Sequence, residues 1–252
     1  DVLVAAGAAH AEPQPFVRFV IDLLRGQAVG QKTLDMERQS MQAMMIYVTG
    51  KLAPSERLPV TKSELTQTLE GRAYTPQQAE LIASAQTPHN ALATEIAHAA
   101  GLRAHELLTL RPVAERAADP RPALDSKWKG RSGEIYTVQG KGGLTREVMI
   151  PHELAARLEE RRLDAPQVVT DRGVFYQSSY DIGGGQRWSN SVSAASERTM
   201  GRSTGAHGLR HSYAQERMTE LQNRGLSRDA ALETVSQEMG HFRPEITETY
   251  LR

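Results

Sequence analysis

Apolar positions recur at helical spacing along most of this chain and alternate at strand spacing in one place. Phe16, Phe19, Val20, Leu23 and Leu24 mark one face of a helix over residues 15–27. Leu34, Met41, Met45 and Val48 mark the inner side of a second helix over 32–48, where the flexible thioethers serve as core filling. A proline-containing stretch at 51–59 interrupts the pattern, and residues 61–69 predict one more short helix. The run from Gly71 to Pro76 then reads as a linker, in which Thr75 can cap and Pro76 opens a helix over 77–85. These breaks divide the chain into a helical domain, residues 1–70, and a second domain, residues 71–252. The first ~12 residues are expected to form a flexible tail.

In the second domain the spacing predicts helices over 90–99 and from Arg103 onward, separated by a break at Gly101. Pro112, Pro120 and Pro122 among mixed charges make 111–132 a loop. Residues 134–139 and 145–150 are rich in strand formers and flank Gly140-Lys141-Gly142-Gly143, a β-hairpin pattern. Helices follow over 152–163, 190–199, 207–222, 227–239 and 244–250, with a loop at 183–185. The expected fold class is mainly α with a small antiparallel β-sheet, an α+β chain.

Composition narrows the picture modestly. The chain has 252 residues, 39% hydrophobic and 24% charged, as a soluble globular protein does. No apolar run approaches the roughly 18 residues that span a bilayer, so no membrane association is expected. The opening residues lack the basic start of a secretory signal. There is no cysteine, hence no disulfide framework and no thiolate metal site, which suits a cytoplasmic setting. Thirty basic against thirty acidic residues give a net charge of zero. That total weighs mildly against a nucleic-acid partner, although a balanced sum can hide a basic groove.

Four segments carry candidate chemistry. Gly101-Leu102-Arg103-Ala104-His105-Glu106 puts Arg103 at a helix start and Glu106 one turn on, and Gly140-Lys141-Gly142-Gly143 puts Lys141 at a hairpin tip. His207-Gly208-Leu209-Arg210-His211 follows, and Gly240-His241 stands nine residues before Tyr250. In order and spacing these segments resemble the catalytic boxes of the tyrosine recombinase (phage integrase) family, over a stretch from Tyr74 to the end of the chain. No one box is specific; the ordered set ending in a tyrosine is.

The resemblance implies a helical core-binding domain joined to a recombinase-like catalytic domain. It implies that Tyr250 attacks a DNA phosphorus to form a 3′-phosphotyrosyl link, with Arg103 and Arg210 on the non-bridging oxygens. Lys141 would be the acid toward the 5′-oxygen, His207 and His241 would transfer protons and bond the phosphate, and Glu106 and His211 would be supports. The chemistry suits the residue types. Planar guanidiniums clamp an anionic transition state bidentately. A phenol titrating near about 10 needs a base or a positive setting, and an alkoxide leaving group needs an acid. Nothing in the pattern calls for a metal or a cofactor.

The implied partners are double-stranded DNA, a homo-oligomer (a tetramer at the synapse, a monomer or dimer when free), and an accessory DNA-bending protein. Lys32, Lys51, Lys62, Lys127 and Lys129 are candidate DNA-backbone contacts. The implied setting is a bacterial cytoplasm, at the nucleoid when bound, and an integrase of a mobile element fits best. The sequence departs from the pattern in a long gap between Arg103 and Lys141, in Met239 where leucine is frequent, and in ending two residues after Tyr250. Exchange of a long C-terminal tail between protomers is therefore not expected. The competing readings are a topoisomerase or resolvase with the same chemistry, a DNA-binding accessory protein with an inactive pocket, and a zinc hydrolase built on His207 and His211.

Overall fold

The computed structural model describes residues 29–65 and 70–252. The expected tail, the helix expected over 15–27 and the end of the one expected over 61–69 lie outside the described residues. The chain divides into two compact units, residues 1–69 and 70–252.

The described part of the first unit is one helix and the segment that returns along it. Helix α1 (Gln31–Tyr47) buries Leu34 and Met45. Met45 packs with Leu52 and Leu58 from the returning segment. Polar side chains fix that return: Gln42 Oε1 accepts the N–H of Leu58 at 3.0 Å, and the Gln31 amide spans the Thr61 carbonyl and the Ser63 N–H. Val48 is not on the inner side as expected; it caps the helix and is 78% exposed. Residues 61–65 are not helical, because the Ser63 hydroxyl donates to the Val29 carbonyl at 2.6 Å and ties the segment to the start of α1.

The second unit opens with α2 (Pro76–Ser84), held by the expected cap: the Gln78 N–H donates to Thr75 Oγ1 and the Thr75 N–H to Gln78 Oε1, a capping box. Helix α3 (Pro88–Ala100) ends at Gly101, whose φ of 62° is left-handed. No α-helix starts at Arg103. The Glu106 carboxylate takes the Arg103 N–H at 2.8 Å, and the chain continues as a 3₁₀ turn, Glu106–Thr109.

Three strands follow in antiparallel order: β1 (Arg111–Pro112), β2 (Glu134–Gln139) and β3 (Thr145–Ile150). The expected hairpin is present, Glu134 opposite Ile150 and Gln139 opposite Thr145. A first strand therefore exists where only a loop was expected, two residues long. The excursion at 113–133 is pinned to the C-terminal helices. Trp128 N–H donates to Glu238 Oε1 at 2.7 Å, and the Arg131 guanidinium grips Glu220 at 2.8 Å.

Helix α4 (His152–Glu159) stops short of residue 163 because the chain enters a second sheet, β4 (Arg162–Asp171) against β5 (Val174–Tyr180). Helical spacing misses this ribbon. Most of β4 is exposed, with only Leu163, Val169 and Asp171 turned inward, so no apolar alternation marks it. Helices α5 (Gly185–Met200), α6 (His207–Asn223), α7 (Arg228–Glu238) and the short α8 (Pro244–Thr247) complete the unit, and a 3₁₀ turn, Glu248–Tyr250, closes it.

The main core joins α2, α3, the three-stranded sheet, α4 and α5 through Ile82, Ile96, Val138, Leu158, Trp188 and Val192. A second cluster between α6 and α7 contains Tyr213, Met218, Leu221, Val235, Met239 and Tyr250. Helix α6 is buried on most sides, including Arg210 and Arg217 at 0% exposure, so it is the axis on which both clusters turn.

Gly101 fixes the exit from α3. A Cβ there would meet the Tyr213 ring at 2.6 Å, in a left-handed conformation that disfavours side chains. Gly101→Ala is expected to lower unfolding stability by about 2–4 kcal/mol, combining backbone strain with overpacking. Urea denaturation measures this, and an unchanged midpoint would contradict the packing described.

Candidate active site

Elements distant in sequence converge around one carboxylate. Glu106 is fully buried. Its Oε1 takes Nη1 of Arg103 at 2.9 Å, its Oε2 takes Nη2 of Arg146 at 2.9 Å, and Nη1 of Arg210 lies 3.9 Å away. Burial alone would raise its pKa, but the guanidiniums of Arg146, Arg210 and Arg103 hold it down at about 2. Three guanidiniums against one carboxylate leave an excess of two positive charges at this point. Such a site attracts an anion.

The arginines differ in what they leave free. Arg210, on α6, is fully buried; it donates to the carbonyls of Gly101 and Met239 and to Nε2 of His241 at 3.0 Å, while its Nε has no partner among the described residues. Burial and the neighbouring Arg103 push its pKa down to about 10, against the pull of Glu106, so it stays charged at neutral pH. Arg103 engages Glu106 through Nη1 and is partly exposed, which leaves the rest of its guanidinium for a ligand. Arg146 is buried as well: Nη1 donates to the Glu238 carbonyl at 2.7 Å at the end of α7, and its Nε, like that of Arg210, has no partner among the described residues. Gly240, with φ 72°, is required beside it, because a Cβ there would come within 2.3 Å of Arg146 Cδ.

Tyr250 lies against this group. The rings of His211, His241 and His207 stand 4.8, 5.0 and 5.3 Å from its ring, and the Arg210 guanidinium is 5.6 Å from its centroid. Its hydroxyl makes no hydrogen bond to the described residues. The protonation of His241 follows from its partners. Arginine can only donate, so Nε2 accepts from Arg210 and Nδ1–H donates to Thr247 Oγ1 at 2.9 Å. The ring is neutral, and burial with Arg210 and Arg103 nearby pushes its pKa down to about 3. Burial, then Arg210, pushes His207 down to about 4. No hydrogen bond occupies its ring nitrogens among the described residues, which leaves it the freer acceptor.

The fold thus gathers Arg103, Glu106, His207, Arg210, His211, His241 and Tyr250. Lys141 stands exposed at the tip of the β2–β3 hairpin. The base of that tip reaches the group: a Cβ on Gly140 would lie 3.6 Å from Glu106 Oε1, and the Gln139 N–H donates to Thr109 Oγ1. Of the lysines proposed for DNA, Lys127 is occupied by Glu147 at 2.9 Å and by the Trp128 ring, while Lys129 is exposed. Lys32, Lys51 and Lys62 are exposed in the first unit. Sequence reasoning missed Arg146 and Thr247. Arg146 was readable, since it shares the inward parity of Val148 and Ile150 on β3; Thr247 had no signal. Among the described residues no group of three or more His, Asp or Glu side chains is arranged to hold a metal ion, and no helix is long and apolar enough to cross a membrane.

This architecture defines the tyrosine recombinase fold, α+β as expected. The XerH site-specific recombinase bound to palindromic difH substrate, in a post-cleavage complex, superposes with a TM-score of 0.60 at 15% identity over 95% of this chain. This chain spans 66% of that one, just under two thirds. The Tn1549 transposon integrase in complex with transposon right end DNA gives 0.58 at 13% identity, covering 100% of this chain and 85% of its own. A lambda integrase dimer bound to a COC′ core site gives 0.55 at 14%, covering 99% and 84%. The sequence matches no protein-family model and no curated protein.

The depressed histidines set a pH dependence. Their folded pKa values lie below the unfolded value of 6.5, so between the two the unfolded chain binds more protons. Stability is present in full above about 6.5 and is lost as pH falls toward about 4. Urea midpoints across this range should fall with acidification, and the slope should flatten in His207→Asn. A midpoint constant over that window would contradict the neutral-histidine assignment.

Proposed function

We propose that this chain is a tyrosine-type site-specific DNA recombinase, cutting and rejoining duplex DNA through a 3′-phosphotyrosyl intermediate. The observation that carries the reading is Tyr250, with its hydroxyl free, set beside an arginine-rich site with an excess of two positive charges. The solved relatives in complex with DNA support it.

In this reading a phosphodiester occupies the cationic site, with Arg103 and Arg210 toward its non-bridging oxygens. Their charge is preorganised by Glu106, so none is rearranged as the transition state forms. Tyr250 Oη attacks phosphorus, the P–O5′ bond breaks, and the 5′-oxygen leaves with the electron pair. His207, neutral and with unoccupied ring nitrogens, accepts the phenol proton. His241, with Nε2 on Arg210 and Nδ1–H on Thr247, holds Arg210 in orientation. Lys141, on the hairpin tip, supplies the proton to the 5′-oxygen. The ester keeps the bond energy, so a 5′-hydroxyl of a second strand can reverse the step without a nucleotide cofactor.

The division of labour follows: residues 1–70 as a core-binding domain and 71–252 as the catalytic domain. Lys32, Lys51, Lys62 and Lys129 are proposed backbone contacts. Exchange between two sites calls for a tetramer at the synapse, with an accessory DNA-bending protein, in the cytoplasm at the nucleoid. An integrase of a mobile element is the proposed setting, a reading that the transposon and lambda integrases among the solved structures support. A topoisomerase or resolvase would share the chemistry and would yield no recombinant junctions from two sites.

Incubation with fragmented host DNA, quenched with SDS, should trap a protease-sensitive protein–DNA adduct that is absent in Tyr250→Phe, while DNA affinity changes little. Adduct formation surviving in Tyr250→Phe would overturn the assignment. Lys141→Ala should lose cleavage by about a hundredfold or more on ordinary DNA, as general-acid loss does. It should regain near-native cleavage on a 5′-bridging sulfur substrate, whose thiolate leaves unprotonated. Failure of the sulfur substrate to rescue, while the native chain cuts it, would remove Lys141 from the acid role.

A further inference from the structure

The turn that carries Tyr250 is short, and α6 holds it in a specific way. The main-chain carbonyl of Tyr250 accepts from two side chains of α6, Nδ1 of His211 at 3.2 Å and Nε2 of Gln215 at 3.1 Å. Gln215 Nε2 also donates to the carbonyl of Arg252 at 2.7 Å. His207, His211 and Gln215 follow one another at i, i+4 and i+8, on one face of the helix. The face that lays His207 against the Tyr250 ring therefore also carries the two donors to its backbone.

A carbonyl only accepts, so His211 holds its proton on Nδ1. Burial and then Arg72 keep its pKa at about 4, hence neutral. Neither donor bonds the phenol or reaches the Glu106 group. Packing alone would not demand them either, since apolar side chains between α6 and the turn would fill the same space. What two donors on one carbonyl add is a fixed position along the helix for the residue that bears the hydroxyl. Without them the turn is held by the apolar contacts of Tyr250 and Leu251, by Thr247 on His241, and at its first residue by the exposed Arg228–Glu248 pair, none of which bonds the Tyr250 carbonyl.

We propose that His211 and Gln215 form a latch on the Tyr250 carbonyl, positioning residues that seat the nucleophile of a chain in that chain's own pocket. The inference rests on Tyr250 being the nucleophile. It implies that the latch serves strand cleavage, which needs the tyrosine seated, and not the activation of the phosphate, which the arginines perform.

Two reactions separate these. The first is adduct formation on duplexes carrying the DNA recovered from trapped adducts of the native chain. The second uses the same duplex nicked at the cleavage point, with a 3′-(p-nitrophenyl phosphate) facing a strand with a free 5′-hydroxyl. There the 5′-oxygen attacks phosphorus, p-nitrophenolate leaves with the bonding electrons, and the hydroxyl proton passes to the pocket's base. Tyr250 takes no part, and Tyr250→Phe, expected to join without cleaving, is the control. Gln215→Met keeps the volume and removes the donor. Alone it should slow cleavage measurably, and with His211→Phe by about tenfold or more, about 1.4 kcal/mol of activation free energy. Joining by Gln215→Met should stay within about twofold of native, given the factor of about ten that 1.4 kcal/mol represents. His211→Asn, which keeps an N–H near the Nδ1 position, should restore most of the cleavage lost in His211→Phe. Native-like cleavage by the double variant would overturn the latch, as would an equal fall of cleavage and joining, which marks general damage to the pocket. A native chain that forms no adduct and joins nothing would instead remove the reading of Tyr250 as nucleophile, and the latch with it.

Discussion

A single carboxylate with no solvent exposure, Glu106, holds the second unit's chemistry together. Burying a charge is costly unless partners surround it, and here the partners come from three places: the turn after α3, strand β3 and helix α6. Each arginine in turn would repel the others without the carboxylate between them. Removing one member of such a set leaves uncompensated buried charge, an effect on the order of 3–5 kcal/mol. The 3₁₀ turn at Glu106, the closeness of the hairpin base and the left-handed Gly101 and Gly240 all serve this convergence.

The same arrangement explains how a chain of zero net charge can take an anionic partner. Thirty basic and thirty acidic residues cancel in the sum, yet most acidic groups near the centre are already spoken for. Glu238 is gripped by Arg217 and Tyr213. Glu220 is shared by Arg131 and Arg217. Around Glu106 three guanidiniums face one carboxylate, and that is where Tyr250 lies. Local excess, not total charge, sets the field at a binding site. The surrounding imidazoles are kept neutral by burial and by the arginines, so they add nothing to the repulsion at the site.

Much of this was legible in the chain because short-range rules governed it. Thr75-Pro76 capped α2, the glycines around Lys141 turned the hairpin at its expected bounds, and Gly101 ended α3. The ordered set of Arg103, Lys141, His207, Arg210, His241 and Tyr250 pointed to the fold before any geometry. What escaped depended on tertiary contacts. The β4–β5 ribbon is too exposed to alternate, and Val48 sits one residue past a helix end that spacing cannot locate. Arg146 looked like an ordinary charge until β3 turned it onto Glu106. The Tyr250 carbonyl finds its donors 39 and 35 residues away, a pairing that no local pattern reveals.

In the proposed reaction Tyr250, and no other residue, becomes joined to DNA. Mass spectrometry of the trapped adduct after nuclease and tryptic digestion tests it directly. A nucleotide mass is expected on the peptide ending at Arg252, with fragmentation placing it on Tyr250. A nucleotide on Tyr74, Tyr213, a serine or a histidine would contradict it, however closely the fold follows the recombinases.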